Sequence, residues 1–452
     1  VHTFRLRVDL GVTNGIGHAF IGKPIERPAV RGGPRRATVY GGETLRRDRQ
    51  GHANDIVDRL QQFNAGREPE RLTLKYRAMR ASPFAFFRGT AHLFWEDMQT
   101  APGSLTDAPT VWACGDLHLE NFGTYRGQNG LAYFDLNDFD ESALAPLTWE
   151  VARFVAGILV AAPTLKIDAA TTTELINIFL SAYRNALMDG TARWIERATA
   201  TGMVRALLQR VKRTSPAMLL DSRSVQDNGE RRLRIDRRRA LSVTASQRKQ
   251  IADCVRTFGQ SQRDPAFYTV LDIARRVAGK ASLGLQRYIV LVRGDGAPDG
   301  NVLLDLKEAR PSSLAQHAPT AQPAWPDEPT RIVTTQRRMQ AMPPALLHTV
   351  KVERTGFVMR ELQPTEDRLR LRDAIGHPRR LRRVMETMGH LTAWAQLRSS
   401  GRQGSAAADA LSAFARTGGW RRKLVSQGRA CAHQVQQEYQ RFVVAHEDDV
   451  IH

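Results

Sequence analysis

The sequence predicts an α+β protein, with helix-rich stretches on either side of one small β-rich region. Three observations carry this. The segment "DIARRVAGKASLGLQRYIVLVRGDGAPDGNVLLDLKEA" (272–309) consists of strand-length apolar runs broken by glycine turns. Stretches from about 148 to 260, and from 378 nearly to the end, repeat apolar residues at helical spacing. Between helical stretches, "TYRGQNGLAYFDL" reads as a lone hairpin turning at Asn129-Gly130.

Residues 1–50 are rich in Gly, Pro and Arg, without periodicity, and are read as a flexible leader. Residues 54–80 have a helical pattern, and a Ser-Pro break then opens the aromatic run "SPFAFFRGTAHLFWEDM" (82–98). "TVWAC" is strand-like and leads into "CGDLHLENFG" (114–123). The helical region from 148 is interrupted by a basic stretch, "NGERRLRIDRRR" (228–239). After the β-rich region come a Pro/Ala loop (315–330), a helical "RIVTTQRRMQAM" and a strand, "TGFVMREL" (355–362). The expected organisation is a leader (1–50), a catalytic-loop and helical region (51–265), a small β-rich lobe (266–365) and C-terminal helices completing the helical region (366–452).

Bulk properties narrow the class. The 452 residues, 42% of them hydrophobic, suffice for a sizeable core. The most apolar run, "WEVARFVAGILVAA" (149–162), is too short to cross a bilayer and carries Glu150 and Arg153, so a buried helix is expected there and no membrane partner. The first residues lack a signal peptide's apolar block, and Cys114, Cys254 and Cys431 stand far apart, which points to a cytoplasmic protein without a disulfide framework. A net charge of +20 suits anionic partners, but the arginines are scattered without interleaved aromatics, so nucleic-acid binding through the leader or 228–239 is the less favoured reading. Lysine stands at only nine positions, which singles out Lys307 inside an apolar strand.

The polar run after "TVWAC" carries the chemistry. Phosphoryl transfer needs a carboxylate to orient the attacking hydroxyl, and an amide oxygen and a second carboxylate to hold magnesium against the phosphates. Asp116 and Asn121 have the five-residue spacing of the kinase catalytic loop. The hairpin that follows ends near Asp135, and Asp138 and Asp140 in "NDFDE" supply further carboxylates for the metal or the loop. His118 and Arg88 join Asp116 as catalytic candidates: His118 against the plainer role of a hydrogen-bonded loop brace, Arg88 in "FFRG" as a clamp on a phosphoryl group or acidic substrate against that of a structural ion pair. Downstream, Gly279, Ser282 and Gly284 mark a turn whose backbone N–H groups can approach phosphates, and Lys307 follows on a later strand as a phosphate-binding lysine.

The motifs "MRASPFAFFRGTA", "VWACGDLHLENFG", "YFDLNDFDE" and "LLDLKEA" resemble the bacterial family catalogued as domain of unknown function 2252. "GDLHLEN" and "FDLNDFD" are also similar to stretches of aminoglycoside and choline phosphotransferases, which have a protein-kinase-like two-lobe fold. This resemblance implies ATP and Mg2+ as cofactors, Asp116 as catalytic base, Asn121, Asp135 and Asp138 as metal ligands, and transfer to a hydroxyl of an unidentified acceptor; the basic stretch 228–239 suits an anionic one. The chain departs from that pattern in three ways: Cys114 replaces the usual histidine, no glutamate in "VTTQRRMQAM" pairs with Lys307 (Gln336 or Glu361 substituting), and the catalytic loop precedes the glycine-rich lobe. The last departure implies a circular permutation. A nucleotide-binding regulator without transfer activity, a metal-dependent phosphoesterase and a nucleic-acid-binding protein are the alternatives.

Overall fold

The computed structural model describes residues 52–452 apart from 101–102, 214–215, 228–229, 280, 298, 364–368, 370, 448–450 and 452. The expected leader lies outside the described residues, as do two positions of the basic stretch.

Helices α1 (His52–Asn64), α2 (Pro69–Arg80), α3 (Pro83–Gly89), α4 (Ala91–Met98) and α5 (Gly103–Thr106) lead to strand β1 (Thr110–Ala113). The Ser-Pro break has a local cause. The Ser82 side chain accepts the Ala85 N–H at 3.1 Å, and Pro83 occupies the first turn, where no N–H is needed. Strands β2 (Phe122–Arg126) and β3 (Ala132–Leu136) form the expected hairpin, and β4 (Ala143–Pro146) returns to pair with β1.

Helices α6 (Leu147–Ala161), α7 (Ala169–Asp189), α8 (Gly202–Arg213) and α9 (Pro216–Arg223) follow. All of α6 except Leu159 is buried, which accounts for its apolar sequence on every side. No helix among the described residues is long and apolar enough to cross a membrane. The basic stretch forms part of a ribbon, β5 (Ser224–Asp227) and β6 (Glu230–Leu233), followed by a short β7 (Ala240–Leu241) and α10 (Ala245–Gln260).

Next come β8 (Val270–Arg276), β9 (Arg287–Val292), β10 (Val302–Glu308), α11 (Ser313–His317), α12 (Glu328–Met339), β11 (His348–Val352) and β12 (Thr355–Glu361). The chain ends in α13 (Pro378–Arg398), α14 (Ala408–Arg416) and α15 (Trp420–Glu447). Strands β7 to β12 form a six-stranded antiparallel sheet in the order β11-β12-β10-β9-β8-β7. Its two faces alternate. Tyr288, Val290, Leu304 and Met359 join a cluster with Ile251 and Val255 of α10. Ile289, Leu291, Leu303 and Leu362 pack on the other side with Leu220 and Leu233. Each fully buried aliphatic here is worth roughly 1.5–3 kcal/mol of transfer free energy.

The helices before the sheet and those after it share one hydrophobic cluster running from Ile56 to Ile451, with α13 packed on α7 and α15 on α6. The architecture is therefore mixed α+β. The polar loop after β1, the loop after β3 and one face of the sheet lie close enough for side-chain contact.

Candidate active site

The loop after β1 is fixed from below by α6. Glu150, fully buried, accepts the Cys114 N–H at 2.6 Å and the Gly115 N–H at 3.4 Å through Oε1. Its Oε2 accepts from Gln396 Nε2 at 2.8 Å, and Gln396 Oε1 accepts the Tyr183 hydroxyl proton at 2.5 Å. Burial pushes the Glu150 carboxyl pKa up, and these hydrogen bonds work against that rise. Gly115 has φ +85°, and a Cβ there would lie 1.8 Å from the Glu141 carbonyl oxygen. The loop after β1 thus touches the loop after β3 backbone to backbone.

Asp116 follows with a side chain only 14% exposed. Its Oδ1 accepts from Arg153 Nε at 2.8 Å and Nη2 at 2.5 Å. Arg153 lies one turn beyond Glu150 on α6, is fully buried and stacks 4.1 Å over the Phe87 ring. Burial raises the Asp116 pKa, and Arg153, then Arg88, oppose the rise. Oδ2 faces His118 Nε2 at 3.7 Å. Glu120 N donates to His118 Nδ1 at 3.0 Å, and Arg88 Nε approaches Nε2 at 3.2 Å. A neutral imidazole accepts at only one nitrogen. Glu120 N and Arg88 Nε are both donors to this ring, so a neutral His118 satisfies one of them at a time. Arg88 also forms an ion pair with Glu120.

Asn121 acts as a clamp. Its Nδ2 donates to the Asp116 carbonyl at 3.0 Å and the Asp138 carbonyl at 3.2 Å, and its Oδ1 accepts the N–H groups of Asn137 (3.2 Å) and Asp138 (2.8 Å). Both ends of the amide are engaged in joining the two loops.

The carboxylates of "FDLNDFDE" diverge. Asp135, on β3, accepts from Leu136 N (2.9 Å), Ala341 N (3.2 Å) and Arg398 Nη2 (2.9 Å). Burial pushes its pKa up, and Arg398 opposes. Asp138 and Asp140, in the loop beyond the strand, instead converge on Lys307. The ammonium lies 3.3 Å from Asp138 Oδ1 and also pairs with Asp140. Burial works to raise the Asp138 pKa, but Lys307, Arg360 and Arg287 outweigh it and hold the carboxyl at about 2. Asp140 moves the other way, raised by burial and by Asp138 beside it. Around Lys307 is a polar cleft lined by Asp138, Asp140, Asp305, Gln336 and Arg360, with a volume of about 20 Å³. That is room for about one water molecule.

The structure brings Asp116, His118, Arg88 and Asn121 together, and it brings Asp138 to Lys307. Of the expected metal ligands, Asn121 is engaged by backbone groups of the two loops, Asp135 by Leu136, Ala341 and Arg398, and Asp138 by Lys307; among the described residues there is no group of three His, Cys, Asp or Glu side chains that could hold a metal ion. Asp138 and Asp140 converge on one ammonium, an arrangement of two carboxylates that could share a cation. Gln336 lines the cleft, and its Nε2 donates to Gln340 at 3.1 Å. Glu361 is not among the lining residues.

The glycine turn has a contact that the sequence does not reveal. Gly284, at φ +92°, would place a Cβ 2.8 Å from Arg67 Cβ. Arg67 Nη1 donates to the carbonyls of Ala281 (2.7 Å) and Leu283 (3.0 Å), and Glu68 N donates to the Gly284 carbonyl at 3.1 Å. Gly284 therefore permits docking of the α1–α2 connection onto the turn. Gly279, at φ +85°, lies against Ser282, whose Oγ would be 2.4 Å from an added Cβ.

Glu150 and Arg153, which hold the loop and Asp116, are the residues of the candidate site that sequence reasoning did not single out. Their signal is visible in "WEVARFVAGILVAA": two charges three residues apart inside a helix with no polar face, hence buried and in need of partners.

No curated protein and no solved structure matches the chain. The family model described as "Uncharacterized protein conserved in bacteria (DUF2252)" matches residues 67–445, and the chain belongs to that family.

Proposed function

We propose that this member of an uncharacterised bacterial family is an ATP- and magnesium-dependent phosphotransferase acting on a hydroxyl of an unidentified acceptor. In this reading its α+β architecture is a circularly permuted protein-kinase-like arrangement, with Asp116 as the catalytic carboxylate. One observation carries the reading: Lys307, 169 residues beyond Asp138, extends its side chain from β10 to Asp138 and Asp140 in the loop that Asn121 ties to Asp116. Phosphoryl transfer needs a lysine on the phosphates beside carboxylates that hold the metal, next to a carboxylate that orients the nucleophile.

The residues then have separate tasks. Arg153 fixes Oδ1 of Asp116 and leaves Oδ2 to accept a hydrogen bond from the acceptor hydroxyl. A loose transition state asks mainly for that alignment, so a carboxylate with one oxygen paired to arginine still serves. His118 borders that oxygen, Arg88 lies against His118, and the two hold the incoming group. Asn121 keeps the two loops in register. Magnesium, held by Asp138 and Asp140, would supply charge neutralisation at the phosphates.

The test is calorimetric ATP binding with and without magnesium, followed by turnover assays. Asp116→Asn is expected to bind ATP within about threefold of wild type and to lose roughly 10²–10⁴-fold in turnover. Lys307→Met is expected to weaken ATP binding by about tenfold or more, since it removes a charged hydrogen bond to phosphate. A folded wild-type protein that binds no ATP in the millimolar range with magnesium present would sink the proposal.

A second reading, a nucleotide-binding regulator without transfer, is favoured by the closed cleft of about 20 Å³ and by the full engagement of the Asn121 amide. Magnesium-dependent ATP binding with no turnover across acceptors, and no effect of Asp116→Asn, would select it.

A further inference from the structure

Alternation along the sheet sorts one face into an apolar end and a charged end. Ala274, Ile289, Leu291, Leu303 and Leu362 make the apolar end. Two residues further along the same strands stand Arg276, Arg287, Asp305 and Arg360, with Lys307 two beyond Asp305. Asp305, 2% exposed, is the shared acceptor. Arg287 donates to it from Nε at 2.8 Å and Nη2 at 2.5 Å, Arg276 Nη1 lies 2.6 Å from Oδ2, and Arg360 Nε lies 3.9 Å from the same oxygen.

Three guanidiniums carry five N–H donors each, whereas one carboxylate offers about four acceptor positions. Lys307 does not relieve the imbalance, because it faces Asp138 and Asp140. Around the cleft, four cations (Arg276, Arg287, Arg360 and Lys307) meet three carboxylates (Asp305, Asp138 and Asp140). Surplus positive charge in a largely buried site is costly unless an anion joins it. Arg276 registers that cost: burial, then the neighbouring Arg287, lower its pKa to about 9.

We infer that Arg276, Arg287 and Arg360 form a binding site for a phosphate chain, next to Lys307 at the charged end of the sheet. Guanidinium forks match phosphate oxygens in pairs, and a phosphate chain supplies the missing negative charge. Arg360, the most exposed of the three at 20%, spans from Asp305 to the Asn137 carbonyl (3.4 Å). It is the side chain whose movement opens the cleft. The site deepens the phosphotransferase reading and rests on it for the identity of the nucleotide, but not for the anion chemistry.

The test titrates pyrophosphate, ATP and adenosine into the full chain by calorimetry with magnesium chelated. Wild type, Arg360→Gln, Arg276→Gln and the exposed charge control Arg421→Gln are compared, with thermal unfolding checking that each is folded. Pyrophosphate and ATP are expected to bind wild type and Arg421→Gln alike and to bind Arg360→Gln at least tenfold more weakly; adenosine alone is expected to bind poorly. Equal binding of pyrophosphate and ATP to wild type and Arg360→Gln, or no pyrophosphate binding to folded wild type, overturns the inference. ATP turnover with unchanged ATP affinity in Arg360→Gln would leave the phosphotransferase standing and remove the arginine site. Arginine-dependent pyrophosphate binding without any turnover would do the reverse.

Discussion

Gly115→Ala is expected to destabilise the protein by about 4 kcal/mol or more, enough to place it among the most damaging single substitutions. Two costs combine. The backbone at Gly115 has φ +85°, where a residue with a Cβ is strained by about 1–2 kcal/mol. The added methyl would also lie 1.8 Å from the Glu141 carbonyl oxygen, and that oxygen is backbone. Nor can Glu141 easily move aside. Its carbonyl accepts the Ser312 hydroxyl at 2.9 Å, and its carboxylate accepts Ser313 N at 2.6 Å and Ser313 Oγ at 2.7 Å. On either side of it, Arg331 donates to the carbonyls of Asp140 (2.8 Å) and Ser142 (2.6 Å). Thermal unfolding against Gly130→Ala gives the measurement an internal control. Gly130 also has positive φ, +78°, but no atom within 4 Å of an added Cβ, so it bears the strain without the collision. An unfolding midpoint for Gly115→Ala close to that of Gly130→Ala would show that the two loops can part at little cost. It would also undo the claim that Asp116 and Asp138 are held in fixed relation.

What the sequence disclosed divides along the range of the interactions involved. Local signals were sufficient where the cause is local. Asn129-Gly130 marked the hairpin, Ser82-Pro83 marked a break, and the continuous apolar run in "RYIVLV" marked a strand, which the structure buries on both faces. The nearness of Asp116 and Asn121 followed from their spacing. Choosing between Asp135 and Asp138 did not, because it depends on which carboxylate meets Arg398, 263 residues away, and which meets Lys307. The glycine turn shows the same limit. Gly284 reads equally well as a phosphate cradle or as a contact for another segment, and the residue that decides, Arg67, is more than 200 residues earlier. The charged end of the sheet was written in the sequence at period two, yet nothing local says that Arg276, Arg287 and Arg360 share a single aspartate.

That sharing sets the size of the other large expected effect. Asp305→Asn should cost about 3–5 kcal/mol at neutral pH, the usual penalty for removing one partner of a buried ion pair. The variant keeps the shape but loses the charge between three guanidiniums, and its amide presents donors where acceptors are needed. The sign of the pH dependence follows from the aspartate. Burial works to raise the Asp305 pKa, but Arg276, Arg287 and Arg360 prevail and hold it well below the ordinary carboxylate value. A carboxyl with a depressed folded-state pKa contributes its full stability above its unfolded pKa of about 3.9 and loses it as pH falls toward the folded value. Urea unfolding should therefore give a gap between wild type and variant that is constant from about pH 5 to 8 and narrows in acid. Salt should close little of it, because buried pairs are weakly screened. Pyrophosphate, in contrast, should raise the stability of the variant more than that of wild type, since a ligand that binds only the folded state stabilises by RT ln(1 + L/Kd), where L is its free concentration, and so favours the tighter binder. A small gap at neutral pH, or one that widens in acid, would mean that the three arginines do not depend on Asp305. Equal stabilisation of both proteins by pyrophosphate would separate the fold's need for this carboxylate from any anion site beside it.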